Sequence, residues 1–280
     1  MSGGVELARL CSGTLGLQGE PDGIRSVHIE PVHCVGPKKH RFLYGGVGTA
    51  LCIETLQAAL GKEVRNISVQ FVRPTPVGSD LQLEVVRHSG RALAQAAIEC
   101  RIGDRLMMAA LASLGSVPEG IATAGPPPPP AVPPPLDCPV IVPHFDAHED
   151  AHSRMELRHI QGRFGMFSRH EQSPDGHVLV WMRAVAEPLH VTHLAMVADF
   201  VPSVTSDALG HRAGGSSLDN VFRYLGPIET EWVLADLSIR RISRGVAHST
   251  VDIWDESGRL IAMGGQSYVA RSMLPPAKDG

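Results

Sequence analysis

Three polar residues in the second half of the chain could do chemistry together: Asp199, Ser217 and Gln266. Asp199 lies in Leu194-Ala195-Met196-Val197-Ala198-Asp199-Phe200-Val201-Pro202 and is the only charge between His193 and Ser206, with histidine counted neutral. An ionised carboxylate in such surroundings loses hydration that something must replace. Burial also raises its pKa toward the range useful to a general base. Pro202 has no amide proton, so the Ala198 carbonyl is open to water or ligand. The same residues equally fit a structural acid that caps a helix restarting at Phe200, with Pro202 in its first turn. Ser217 follows Gly214-Gly215-Ser216 and reads as the opening of a strand. Its hydroxyl can accept from and donate to one water, or serve as an ordinary strand-start serine. No Gly-x-Ser-x-Gly surrounds it, which argues against a serine nucleophile. Gln266, between Gly265 and Ser267, is neutral and offers a donor and an acceptor. It can fix a water without changing the charge of a site, or be an exposed polar residue on a strand.

An internal repeat favours the chemical reading of Gln266. Ser89/Ser243, Arg105/Arg259, Leu106/Leu260 and Ser113/Ser267 all stand 154 residues apart. In that register Gln266 falls opposite Ala112. A duplicated fold with a carboxamide in one copy and a methyl in the other predicts one functional site per chain.

The elements that must position these residues follow from patterning. The 280 residues suffice for two units of roughly 140. Residues 117–143 hold the unbroken run Pro126–Pro130 and then Pro133–Pro135, an extended spacer that can cross the face of a domain. It divides an N-terminal unit, 1–116, from a C-terminal unit, 144–280. Residues 45–61 open and close on glycine. Ala50, Leu51, Ile53, Leu56, Ala58, Ala59 and Leu60 cover most of the circumference between, which predicts a helix buried on nearly all sides. Partly alternating runs then predict antiparallel strands over 66–73, 81–88, 92–102 and 105–114, with turns at Gly90 and Gly103-Asp104. In the second unit the expected strands are 155–164, 177–186, 217–225, 231–242, 247–254 and 259–271. A helix over 191–209 is interrupted by Pro202. One long helix followed by a meander, twice, predicts an α+β double hotdog: two antiparallel sheets, each wrapped around a buried central helix.

At this point the chain resembles a known family. Arg41-Phe42-Leu43-Tyr44-Gly45-Gly46 is similar to the Phe-Gly-Gly that opens the first helix of double-hotdog acyl-CoA thioesterases of the thioesterase II type. Phe71-Val72-Arg73-Pro74 is similar to that family's Phe-x-Arg-Pro. Ala198-Asp199, Ser217-Leu218-Asp219-Asn220, and Gln266 with Arg271 fall where the family has Ser-Asp, Thr-(Ile/Leu)-Asp-His, and Gln followed by Arg. The resemblance spans about Thr14 to Arg271. It implies Asp199, Ser217 and Gln266 as the catalytic triplet, Gly45, Gly46 and Val47 as substrate-binding residues, an acyl-CoA substrate and a homo-oligomer. Among the departures from the family pattern, Ser217 replaces Thr, Val47 replaces Gln and Asn220 replaces His. The implied reaction is direct hydrolysis. Asp199 takes a proton from a water held by Ser217 and Gln266, and the oxyanion rests on backbone amides at a helix start. A non-catalytic acyl-thioester binder and a hotdog enoyl-CoA hydratase are the alternatives. The compact Asp-x4-His expected of the hydratase is absent around Asp199.

Other features point away from other classes. A formal net charge of −4 provides no basic footprint for nucleic acid. No apolar run reaches the roughly 18 residues of a membrane span. The N-terminal Met-Ser-Gly-Gly-Val-Glu-Leu lacks the charged and apolar regions of an export signal. Five scattered cysteines without Cys-x-x-Cys predict no disulfide framework and a reducing, cytoplasmic setting. No cofactor or metal is expected. His144, His148 and His152 would stack on a helix, yet Pro143 before them favours a solvated connector over a metal site. Lys38-Lys39-His40-Arg41 fits either CoA phosphates or a solvated turn.

Overall fold

Glycine at both ends and apolar residues on most sides do produce a buried helix, α1 (Gly45–Leu60), closed by Gly61 at φ 59°. A computed structural model describes residues 15–21, 23–116, 124–129, 131–142, 150–166, 170–173, 176–185 and 187–273. Ahead of α1 come β1 (Arg25–His28), β2 (Cys34–Val35) and β3 (Phe42–Leu43). After it run β4 (Val64–Phe71), β5 (Asp80–Ser89), β6 (Leu93–Ile102) and β7 (Arg105–Gly115). The later part of the chain forms β8 (Met155–Gln161), β9 (His177–Ala184), α2 (Val191–Ala198) and α3 (Thr205–Leu209). It ends in β10 (Ala213–Ser217), β11 (Asp219–Tyr224), β12 (Val233–Ser243), β13 (Val246–Asp255) and β14 (Leu260–Ser272).

The two separate sheets expected from the repeat are joined. One antiparallel sheet runs β1-β5-β6-β7-β4-β11-β14-β13-β12-β9-β8, with β10 also on β14. β4 and β11 pair at the seam, with Ser68 opposite Val221. Each strand alone would leave a row of unpaired amides and carbonyls at a sheet edge, and pairing them removes both edges. Outward from the seam the order is β4, β7, β6, β5, β1 on one side and β11, β14, β13, β12, β9 on the other. The same order of strands therefore repeats on the two sides of the seam.

Two local expectations are also corrected. The helix expected over 191–209 breaks at Asp199 and not at Pro202. Asp199 (φ −91°, ψ 3°) caps the C-terminus of α2, and its amide bonds to the Met196 and Val197 carbonyls. Pro202 then sits in the first turn of a 3₁₀ segment, Val201–Val204, where its missing amide costs nothing. Ser217 closes β10 and does not open a strand. β11 starts two residues later, after Leu218 donates its amide to the Ser267 carbonyl at 2.9 Å.

α1 packs against the concave face of the sheet. Val47, Ala50, Leu51, Ile53 and Leu56 have no exposed surface. α2 lies beside α1, tied to it by the Tyr44 hydroxyl, which donates to the Met196 carbonyl at 3.0 Å. On the outer face, Cys138 packs with Trp181, Trp232, Leu234 and Trp254. The Trp181 indole donates to the Pro133 carbonyl at 2.9 Å. The described proline-rich residues thus lie over the tryptophans of the later strands. No helix among the described residues is long and apolar enough to cross a membrane.

Candidate active site

Four elements converge on one carboxylate. The end of α2 delivers Asp199, the start of α1 supplies Gly45 and Gly46, the end of β10 brings Ser217, and β14 carries Gln266. The Gly46 amide donates to Asp199 Oδ2 at 2.6 Å. Gln266 Nε2 donates to Asp199 Oδ1 and to Ser217 Oγ at 2.9 Å. Asp199 is 2% exposed and Gln266 3%, so this network sits behind the surface.

The glycines are explained by close approach. A Cβ on Gly45 would lie 2.8 Å from Asp199 Oδ2 and 3.0 Å from the Phe71 ring. One on Gly46 would lie 2.7 Å from the Met196 Cα, which is backbone and cannot swing aside. Two glycines in succession therefore let the first turn of α1 abut the last turn of α2 with a carboxylate between them. Val47 differs: its side chain is fully buried in the core, so any contact it makes with a ligand runs through its backbone.

The start of α1 can be accounted for donor by donor. The Gly48 amide bonds to the Tyr44 carbonyl at 2.9 Å, and the Gly46 amide is used by Asp199. Among the described residues the Gly45 and Val47 amides have no protein partner. Free amides at a helix start favour negative charge. Burial pushes the Asp199 pKa from 3.8 up to about 7, while bonds from the Gly46 amide, Gln266 and Ser217 pull it down. The result is a carboxylate that can both take and return a proton near neutrality.

All three residues of the expected triplet are therefore in one network, with Gly45 and Gly46 against it. The surrounding wall was not read from the sequence. Tyr44 stacks edge-on to His152 with centroids 5.2 Å apart, and His152 lies 4.9 Å from the Phe200 ring. Tyr44 and Phe200 adjoin Gly45 and Asp199 in the chain, and that adjacency was the available signal. His144 and His148 lie outside the described residues, and no metal-binding cluster of three occurs among the described residues. Lys38–His40 forms a 3₁₀ turn with no buried residue. The four described cysteines are free thiols, and Cys11 lies outside the described residues.

Residues 36–115 match the profile of the acyl-CoA thioesterase N-terminal domain. Residues 124–270 match that of the acyl-CoA thioesterase C-terminal domain. The chain belongs to the acyl-CoA thioesterase family. This acyl-CoA thioesterase is similar to the crystal structure of a candidate thioesterase from Novosphingobium aromaticivorans DSM 12444. The two are 34% identical over 90% of this chain and 97% of that one, with a TM-score of 0.78. A hotdog-fold protein from Alicyclobacillus acidocaldarius superposes with a TM-score of 0.79 at 18% identity, over 95% of this chain and 98% of that one. An acyl-CoA thioesterase II from Mycobacterium marinum does so with a TM-score of 0.69 at 17% identity, over 97% and 100%. The last two show a shared hotdog fold. No curated protein sequence matches the chain. As a member of this family the protein is a thioester hydrolase.

Proposed function

We propose that the thioesterase hydrolyses acyl-CoA by direct attack of water, with Asp199 as general base. The observation that carries this reading is the buried carboxylate with one oxygen held by the Gly46 amide and the other by Gln266. Ser217 orients the water, Gln266 holds Asp199 and Ser217 in place, and Asp199 takes the proton as the oxygen adds to the acyl carbon. The free Gly45 and Val47 amides at the start of α1 receive the oxyanion. Collapse of the tetrahedral intermediate breaks the C–S bond. The CoA thiolate then recovers the proton from Asp199, leaving free acid and CoA. A thioester carbonyl is electrophilic enough that no covalent nucleophile is needed. Replacement of Thr by Ser at 217 keeps the hydroxyl that this scheme uses.

The wider reading is a double hotdog with units at 1–116 and 144–280 and a linker at 117–143. It acts in the cytoplasm as a homo-oligomer of such chains. The first unit lends the start of α1, and the second carries the acid, hydroxyl and amide. Thiol release from a panel of acyl-CoAs by wild-type enzyme and Asp199→Asn tests the mechanism. Turnover should collapse in the variant on every substrate that the wild type cleaves. Retained turnover would remove Asp199 from the reaction.

A further inference from the structure

Asn220 is fully buried, and neither its Nδ2 nor its Oδ1 has a protein partner. The same is true of one atom in the network above, Gln266 Oε1. The two residues are neighbours across strands. β11 and β14 pair with Val221 opposite Gly265, and Leu218 donates its amide to the Ser267 carbonyl, so Asp219 and Asn220 together stand against the single residue Gln266. Alternation along β11 puts Asn220 on the buried side with Phe222, the side that Gln266 faces on β14. The corresponding pair in the first half is Ile67 opposite Ala112. The half with the polar triplet thus replaces two apolar side chains by two carboxamides, at positions where an unpartnered amide costs stability.

We infer that Asn220 is a positioning residue of this active site, which holds the Gln266 carboxamide in its working orientation through one bridging water. Gln266 must present Nε2 to Asp199 and Ser217, which turns Oε1 away from both. A flipped carboxamide would set its oxygen against the Asp199 carboxylate. Asn220 Nδ2 donates to the water, and the water donates to Gln266 Oε1, which makes the flip unfavourable. Buried waters commonly join polar groups of this kind. The inference rests on the reading of Asp199, Ser217 and Gln266 as the hydrolytic centre.

The test is steady-state thiol release from an acyl-CoA that the wild type cleaves, using the full chain. Asn220→Leu removes the carboxamide and keeps the bulk. Its kcat should fall about tenfold with KM unchanged, and its melting temperature should not fall. Asn220→His restores a ring N–H donor and should recover most of the lost kcat. In a Gln266→Ala background Asn220→Leu should have no further effect, because its only route to the reaction is gone. If Asn220→Leu does not fold, Asn220→Ala also removes the amide donor without adding a charge and carries the same kinetic expectations. Unchanged kcat in the single variant, or losses that multiply in the double variant, would overturn the inference. Failure of the underlying hydrolytic reading shows separately, as retained turnover in Asp199→Asn.

Discussion

The amide of Gly46 and the carboxylate of Asp199 meet at 2.6 Å although 153 residues separate them in the chain. The donor belongs to the helix of the first half and the acceptor to the second. A side chain at 46 must displace the Met196 backbone, so Gly46→Ala should destabilise the fold by about 1–3 kcal/mol. It should also lower kcat, since α1 carries the amides proposed to hold the oxyanion. Thermal melts and thiol release on the same preparation measure both effects.

Asp199→Asn keeps the shape of the side chain and its acceptor for the Gly46 amide. A general base contributes about 10²–10⁴ in rate, so kcat should fall by that order while KM stays near the wild-type value. A variant that instead raised KM alone would show that Asp199 binds substrate without moving a proton.

The acid limb of kcat/KM should have its midpoint near the Asp199 pKa, about 7. The ionised form is the base, so activity rises with pH through this value and levels off above it. Stability runs the other way. Burial raises this carboxylate from 3.8 to about 7. Its stabilising protonated form is complete below about 3.8 and is lost as pH rises to about 7. The melting temperature of Asp199→Asn minus that of wild type should therefore increase from pH 5 to pH 8. A constant difference would mean that the carboxylate titrates at its ordinary value.

Ser217 accepts from Gln266 and helps hold the Asp199 pKa down. Ser217→Ala should cost about tenfold in kcat and shift the acid limb to higher pH. Ser217→Thr keeps the hydroxyl and should retain most of the activity. An alanine variant with an unchanged pH profile would exclude Ser217 from the network.

The legible parts of this fold were those governed by local rules. Glycine at 45 and 61 bounded α1, and alternation on either side of the Gly103-Asp104 turn located β6 and β7 to within a residue. Non-local pairing was not legible: nothing in 64–71 or 219–224 says that β4 and β11 will share a ladder. Pro202 drew attention as the helix breaker, yet the break lies at Asp199, where contact with the start of α1 decides the backbone. The triplet was legible only through the repeat and the family resemblance. Asn220 could be noticed as a departure from the family, but its burial and its unpartnered amide belong to the packed structure.

The β4–β11 seam changes what dilution can do. Built from two separate chains, a site shared across this seam would exist only at concentrations that hold the partners together. Tethered in one chain, each half meets the other at an effective concentration in the millimolar range. Assembly of the site becomes a folding event. On the proposed mechanism, one half is also released from carrying a reactive centre and is left free to specialise as its wall.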